Sequence, residues 1–248
     1  MSQQRYSRPA YKAFVEALHK SIGTAHVSNW NLYSDFLELS FIAMSQPVRK
    51  WLTGEIDAKR EVRYLEIVKR YPNPNAFAEA LGIVVLGLEE ETHDFLGNVA
   101  GELGLLEGEW HGQFFTPKHV CDLMVQMNFD EDEKPDPEHR LRICEPACGA
   151  GAMALSVASF LKDRGFHPVN WWLEAIDKDS RMFHAAYIQL SLCGVPGIVR
   201  NADALSLEQW DAELTLAGAM FPLRHEAEEE NKPAIIRPPA DQFQLEVA

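Results

Sequence analysis

The chain has 248 residues, of which 46% are hydrophobic and 24% are charged. This length and composition suit one large or two small folded domains and argue against a disordered or fibrous chain. The 23 Lys and Arg residues against 37 Asp and Glu residues give a formal net charge of −14. Nucleic acid repels so acidic a chain, so tight binding to DNA is not expected unless cations cluster or a basic partner supplies the attraction.

Neither a membrane span nor a disulfide framework is expected. No apolar run approaches the roughly 18–20 residues that cross a bilayer, and the first residues lack the apolar core of a signal peptide, so the expected location is cytoplasmic. The four cysteines, Cys121, Cys144, Cys148 and Cys193, form no Cys-x-x-Cys pair. Reduced, partly buried thiols are favoured, although Cys144 and Cys148 could in principle share a metal ion.

The first part of the chain, 1–110, shows the periodicity of a helical lobe. Phe14, Leu18 and Ile22 recur at helical spacing. Two prolines in the sequence YPNPN at 71–75 interrupt the pattern, which resumes afterwards. The locally basic stretch 49–70 has seven Lys and Arg against four Asp and Glu. A solvated helix face is the favoured interpretation of this stretch, and contact with a DNA backbone is the alternative.

A second unit, 111–222, alternates short apolar runs with helix-like stretches, which indicates parallel βαβ units. It opens with a short helix around 117–128 and a charged connector at 130–140. The apolar runs lie at 141–146, 171–177 and 197–201, the helix-like stretches at about 152–164 and 179–193, and a possible fourth strand at 212–218. The remaining residues, 223–248, are predicted to form a polar, flexible tail.

The most informative segment is Glu145-Pro-Ala-Cys-Gly-Ala-Gly151, which lies between a predicted strand and a predicted helix. Glycines at such a turn let a ligand approach the backbone amides at the helix start. Asp177 ends the next strand, where its carboxylate could accept both hydroxyls of a ribose. Asp203 follows the third strand and could reach an adenine amine, or could simply cap the next turn.

Other ligands of such turns fit less well. The chain has no GxxxxGK[ST] motif and no full GxGxxG, which disfavours an NTPase and a nicotinamide dehydrogenase. Glu145, ahead of the glycines, is placed to accept a cationic amino group. The pattern therefore favours S-adenosylmethionine over a pyrophosphate.

Four segments in this order resemble the adenine-N6 DNA methyltransferases, and most closely the modification subunit of type I restriction systems and its plasmid-borne relatives. They are Gly-Gln-Phe-Phe-Thr-Pro at 112–117, the glycine turn, Ile-Asp-Lys-Asp-Ser at 176–180 and Asn-Ala-Asp at 201–203. The resemblance covers about 93–222. It implies a fold of the α/β class, with a helical N-terminal lobe followed by a truncated Rossmann-like S-adenosylmethionine-dependent methyltransferase domain.

The resemblance also implies roles for individual residues. Those that would close over the methionine end of the cofactor are Gln113, Phe114, Phe115, Thr116 and Pro117. Those that would surround its amino-acid part are Glu145, Pro146, Ala147, Cys148, Gly149 and Gly151. Asp177 would bind the ribose, and Ala202 with Asp203 the adenine. Core packing is the alternative for Phe114 and Phe115.

The sequence departs from this family at the catalytic motif. Such enzymes flip the target adenine out of the duplex onto an aromatic ring of a [DNS]-P-P-[FY] motif, whose oxygens accept hydrogen bonds from the adenine amine. Here the expected position reads Gly218-Ala-Met-Phe-Pro222. Phe221 could stack on a base, but Gly218 offers no acceptor, and such a loss costs about 10²–10³ in rate. The other Pro-Pro, in Arg237-Pro-Pro-Ala240, is followed by no aromatic ring.

Three functions follow as hypotheses. The first is an active adenine-N6 methyltransferase subunit that needs a separate specificity subunit, because few residues follow Phe221 and reading base edges needs a dedicated element. The second, which is favoured, is a cofactor-binding but catalytically lapsed relative, a pseudoenzyme acting in a restriction–modification or other DNA-processing complex. The third is a methyltransferase for a small molecule or a protein. DNA contact is expected mainly through a partner or through the basic stretch 49–70.

Overall fold

A helical lobe precedes an α/β unit, as the sequence predicts. The computed structural model describes residues 8–23, 26–103, 116–130, 134–136, 139–222 and 234–235. The helices of the lobe are α1 (Pro9–Ile22), α2 (Asn29–Thr53), α3 (Ala58–Val68), α4 (Asn75–Glu90) and α5 (Phe95–Glu102). Pro72 and Pro74 lie between α3 and α4, because a proline inside a helix removes a backbone donor. None of the helices in the described part of the chain is long and apolar enough to cross a bilayer.

The α/β unit is Rossmann-like. Its elements are α6 (Lys118–Asn128), β1 (Leu141–Glu145), α7 (Ala152–Asp163), β2 (Trp171–Asp177), α8 (Ser180–Leu192), β3 (Gly197–Ala202), β4 (Gln209–Leu214), α9 (Leu216–Met220) and β5 (Ala234–Ile235). The strand order is β4-β3-β2-β1-β5. Helices α7 and α8 connect β1 to β2 and β2 to β3, and these pairs are parallel. The carboxyl ends of β1, β2 and β3 therefore lie along one edge of the sheet.

Two strands differ from the sequence predictions. The fourth strand was expected at 212–218, but β4 runs from Gln209 to Leu214 and pairs antiparallel with β3. Only six residues, 203–208, join the two strands, which is too short for the crossover that a parallel pair needs. Residues 216–220 form a short helix instead. Within the predicted flexible tail, Ala234 and Ile235 pair with β1, whereas 223–233 and 236–248 lie outside the described residues.

Two apolar cores meet at α8. The lobe core, which includes Phe14, Phe36 and Phe95, also contains Met182, Ala185 and Ile188 of α8. The sheet core contains Phe183, Ala186, Tyr187 and Leu190 from the same helix. Because α8 packs against both cores, most of its buried side chains are apolar. The division at residue 110 remains a prediction.

Several cations of the basic stretch 49–70 form ion pairs with other parts of the chain. The Arg60 guanidinium donates to both carboxylate oxygens of Asp211, at 2.7 and 2.8 Å, and to Glu213, and it lies over the Phe41 ring. Arg49 also binds Glu213, at 3.0 Å. Arg63 and Arg70 pair with carboxylates of α2. Four of the seven cations therefore form ion pairs with other parts of the chain, while most residues of 49–70 are exposed, as expected of a solvated face.

Candidate functional site

The turn after β1 brings backbone amides to the edge of the sheet. Gly149 and Gly151 have φ values of 55° and 104°, a left-handed region that glycine adopts without strain. The Cys148 N–H donates to the Ile176 carbonyl at 2.9 Å, which fixes the turn to β2. Among the described residues, and leaving aside the chain neighbours of Gly149, no heavy atom lies within 4 Å of the position that a Cβ would take there. The turn is thus rigidly attached and open on the side of Gly149.

Asp177 links the ends of three strands. Its carboxylate accepts hydrogen bonds from the Gly149 N–H and the Asp179 N–H, both at 2.8 Å. The Asn201 side-chain amide donates to the main-chain carbonyls of Asp177 and Lys178, both at 3.0 Å. Burial raises the pKa of the Asp177 carboxyl, although both N–H donors oppose this shift. The structure therefore brings together Gly149, Asp177 and Asn201.

Glu145 adds a second carboxylate beside Asp177. It ends β1, and its side chain accepts a hydrogen bond from the Ala147 N–H at 3.3 Å. Burial raises the pKa of Glu145, and the negative charge of Asp177 raises it further. Within the described ranges, neither carboxylate forms an ion pair with a cationic side chain. The arrangement favours a ligand that carries a positive charge and hydrogen-bond donors.

The rest of the glycine turn divides between surface and core. Pro146 and Ala147 are exposed beside Glu145. The Cys148 side chain is buried in the sheet core, and burial raises its pKa well above the ordinary value. Only the backbone of Cys148 therefore belongs to the open side of the turn.

Asp203 has the structural role that the sequence left open as an alternative. Its carboxylate accepts hydrogen bonds from the Leu205 N–H at 2.8 Å and the Ser206 N–H at 3.1 Å. These bonds cap the β3–β4 turn and lower the pKa of Asp203. Ala202, which precedes it, is buried at the end of β3.

Thr116 and Pro117 lie at the start of α6. The Cys121 thiol contacts the Thr116 carbonyl at 3.5 Å, and Pro117 precedes α6. Burial raises the pKa of Cys121 to about 11, and the nearby negative charges of Asp94, Asp122 and Glu145 contribute. Thr116 and Pro117 are exposed, whereas Gln113, Phe114 and Phe115 lie outside the described residues.

Phe221, the predicted base-stacking residue, is not brought to this site. Its carbonyl accepts a hydrogen bond from the Arg140 guanidinium at 2.8 Å, and Arg140 also donates to the Trp171 carbonyl at 2.9 Å. Arg140 and Trp171 lie at the amino ends of β1 and β2. The expectation for Phe221 is corrected, because Glu145 and Asp177 lie at the carboxyl ends of the same strands.

Gly218 is a packing residue of α9. A Cβ at this position would lie 2.2 Å from the Gly197 carbonyl oxygen and 2.9 Å from the Gly197 nitrogen. No side chain fits there without movement of α9 or β3. The close approach of the α9 and β3 backbones thus explains the glycine at the start of 218–222. The other Pro-Pro segment, Arg237–Ala240, lies outside the described residues.

A comparison with protein-family models shows the family of this chain. The family model described as N-6 DNA methylase matches residues 96–221, just over half of the 248 residues. The chain belongs to the N-6 DNA methylase family. This confirms the resemblance inferred from the four sequence segments.

Comparisons with individual proteins add two structures similar to this N-6 DNA methylase family member. One is described as a class I S-adenosylmethionine-dependent methyltransferase from Listeria monocytogenes, with 16% identity, a TM-score of 0.38, and coverage of 79% of this chain and 54% of that chain. The other is the type I restriction-modification system methyltransferase subunit from Streptococcus thermophilus, with 16% identity, a TM-score of 0.38, and coverage of 82% and 59%. The chain thus spans less than two thirds of either. No curated protein matches.

Sequence reasoning missed one polar group in this family member. Gln189 is fully buried in α8 and donates to the carbonyl of Ala150 inside the glycine turn, at 2.7 Å. A single amide within the apolar segment AAYIQLSL was the available signal, because a buried amide needs hydrogen-bond partners.

Proposed function

We propose that this N-6 DNA methylase family member binds S-adenosylmethionine at the glycine turn and acts as a catalytically lapsed subunit of a DNA-processing complex. The observation that carries the binding proposal is the pair of half-buried carboxylates, Glu145 and Asp177, without an ion-pair partner in the described residues. A ligand with a cationic amino group and a ribose diol satisfies both. The family membership supports this choice of ligand.

The residues present fit that cofactor. Glu145 accepts the ammonium group, and the open face of Gly149 lets the amino-acid part approach the backbone. Each oxygen of Asp177 already accepts one N–H and keeps a further lone pair for a ribose hydroxyl. When bound, the cofactor supplies an electrophilic methyl group. In this proposal Thr116 and Pro117 cover the methionine end together with Gln113, Phe114 and Phe115, and Ala202 and Asp203 border the adenine.

The catalytic part of the proposal is supported by the placement of 218–221. Methyl transfer to an adenine amine needs a hydrogen-bond acceptor and a stacking ring beside the cofactor. Gly218 has no room for a side chain, and Phe221 lies at the other edge of the sheet. The alternative is an active subunit that depends on a specificity partner. It is favoured by the family itself and by the similarity to a methyltransferase subunit of a restriction–modification system.

The affinity for S-adenosylmethionine is expected to fall as the pH is lowered. Burial raises the pKa of Glu145 and of Asp177 above their ordinary values, so protonation removes the negative charges at a higher pH than for exposed carboxyl groups. The charged carboxylates attract the ligand, so binding at low pH must release protons and becomes weaker. Titration calorimetry at several pH values measures this dependence.

Glu145→Gln is the informative variant for this test. It should bind more weakly at pH 8 and show a flatter pH dependence, because one titrating group is gone. Glu208→Gln, on the exposed β3–β4 turn, is the matched control and should behave as the wild type. A wild-type affinity that stays constant as the pH is lowered to the ordinary carboxyl range, while the fold is retained, would contradict the assignment of the two carboxylates.

DNA from cells that express the protein alone is expected to contain no N6-methyladenine above background. The reason is the missing acceptor and ring at the cofactor site. Mass spectrometry of digested DNA measures the modified base, with cells carrying an empty vector as control. Clear methylation would establish the alternative, an active enzyme, and coexpression with a specificity subunit would then test partner dependence.

A further inference from the structure

Gln189 joins the glycine turn to the helical lobe through three hydrogen bonds. Its side-chain nitrogen donates to the Ala150 carbonyl at 2.7 Å and to the Asp94 carboxylate at 2.9 Å. Its side-chain oxygen accepts from the Leu96 N–H at 3.0 Å. Ala150 belongs to the turn, whereas Asp94 and Leu96 belong to the start of α5. One buried amide thus bridges two segments that are far apart in sequence.

The orientation of this amide is determined by its partners. Both nitrogen hydrogens point at oxygen acceptors, and the oxygen faces a backbone donor. A flipped amide would place its oxygen against two acceptors, Asp94 and Ala150, and its nitrogen against the Leu96 N–H. Because Gln189 is fully buried, water cannot replace a missing bond. Of the common side chains of this size, only a glutamine satisfies all three partners.

The bonds from Gln189 and Asp177 hold adjacent residues of the turn. Gly149 is held by the Asp177 carboxylate, and the next residue, Ala150, is held by Gln189. Both neighbours of Ala150 have left-handed backbone conformations, which restrict the turn to one path. Loss of the Gln189 bond would leave the Ala150 carbonyl buried without that partner and would let the Gly149 amide move away from Asp177.

On the lobe side, Gln189 stabilises the first turn of α5. Asp94 caps this helix by accepting from the Gly97 N–H at 2.8 Å, and its buried carboxyl has a raised pKa because of desolvation. No cation forms an ion pair with Asp94 in the described residues, so Gln189 is its side-chain partner there.

We propose that Gln189 is a positioning residue that couples occupation of the glycine turn to the packing of α5 against α8. The inference rests on the proposed function, because the ligand at the turn is S-adenosylmethionine. Coupling is reciprocal, so a ligand that stabilises the turn also stabilises the start of α5. The helical lobe then responds to the cofactor although it contributes no residue of the turn.

Hydrogen–deuterium exchange with and without S-adenosylmethionine tests the coupling directly. In the wild type, the ligand should slow exchange in 146–155 and also in 94–103. Gln189→Met, which has a similar volume and no amide, should bind the ligand about 10–100-fold more weakly, consistent with loss of buried hydrogen bonds. At equal occupancy, this variant should still show protection in 146–155 but none in 94–103. If Gln189 had only a structural role, the ligand would still slow exchange in both segments of the variant.

Gln46→Met is the matched control. Gln46 is also a buried glutamine of a helix, and it makes two hydrogen bonds to the backbone of Asp57, at 2.8 and 2.9 Å. Its loss should raise exchange near α2 and α3 and leave the affinity within about twofold of wild type, because Gln46 touches no part of the turn. Gln189→Glu is a second variant of closer shape, which offers at most one donor hydrogen in place of two and so cannot satisfy both Ala150 and Asp94, and it should weaken the coupling as well.

The outcomes separate this inference from the proposed function. Protection of 146–155 alone in the ligand-bound wild type would overturn the coupling and support the cofactor site. If the wild type does not bind S-adenosylmethionine, the proposed function fails. The positioning role is then tested by comparing the ligand-free wild type with ligand-free Gln189→Met. Faster exchange of both segments in the variant supports that role, and unchanged exchange of 146–155 overturns it. The wild-type measurement needs no variant, so it stands even if Gln189→Met does not fold.

Discussion

Asp177→Ala is expected to weaken S-adenosylmethionine binding by at least about 100-fold, because hydrogen bonds that involve a charged group are worth about 1.5–3 kcal/mol each. The substitution removes the proposed acceptor of both ribose hydroxyls. It also releases the Gly149 and Asp179 N–H groups, which the carboxylate holds at 2.8 Å. The ligand therefore loses direct contacts and a prearranged turn at the same time.

Two further variants make this test specific. Asp177→Asn keeps one acceptor oxygen but loses the charge, so its affinity should lie between those of Asp177→Ala and the wild type. Glu208→Ala removes an exposed carboxylate of the β3–β4 turn that is not part of the proposed site, so its effect on affinity should be much smaller. Titration calorimetry gives the three affinities, and circular dichroism checks the fold. Equal affinity of Asp177→Ala and the wild type would refute the proposed cofactor site.

Gly218→Ala is expected to lower the free energy of unfolding, whereas Gly82→Ala should raise it. The new methyl group at residue 218 would meet the Gly197 carbonyl at 2.2 Å, and backbone atoms cannot yield as a flexible side chain does. Overpacking of this kind costs about 1–3 kcal/mol. Gly82 lies within α4 and is exposed, and outside its own helix backbone no described residue has a heavy atom within 4 Å of the added Cβ. Alanine there should gain about 0.5–1 kcal/mol from helix propensity.

Thermal unfolding measures both changes, with roughly 2–4 °C expected per kcal/mol for a chain of this size. The opposite signs matter more than the magnitudes, because the same substitution is made at both positions. If Gly218→Ala were as stable as the wild type, α9 would not pack on β3 as described. The interpretation of 218–222 as a packing segment would then lose its basis.

Much of the fold followed from the sequence because its signals are local. The three strands that end at Glu145, Asp177 and Ala202 were predicted to within about one residue, since short apolar runs between helices indicate parallel strands. The antiparallel pairing of β4 was not predicted. Its orientation depends on the length of the 203–208 connection and on contacts with β3, which a local pattern does not contain.

The candidate site was partly predictable for the same reason. The glycine turn and Asp177 carry their information in adjacent residues, and the structure brings them together through the Gly149–Asp177 bond. Phe221 was assigned by its order along the chain, and the antiparallel turn before β4 carries it to the opposite edge. Gln189 was missed because its partners are 93 and 39 residues away in sequence, and only the packing of α5 on α8 reveals them.

Helix α8 has a thermodynamic consequence because it supplies side chains to both cores. Met182, Ala185 and Ile188 complete the lobe core, and Phe183, Ala186 and Leu190 complete the sheet core. Unfolding of either core exposes one face of this helix and removes the support of the other. The lobe and the sheet should therefore melt in one cooperative transition, and a fragment that ends before α8 would leave the apolar face of the lobe in contact with water.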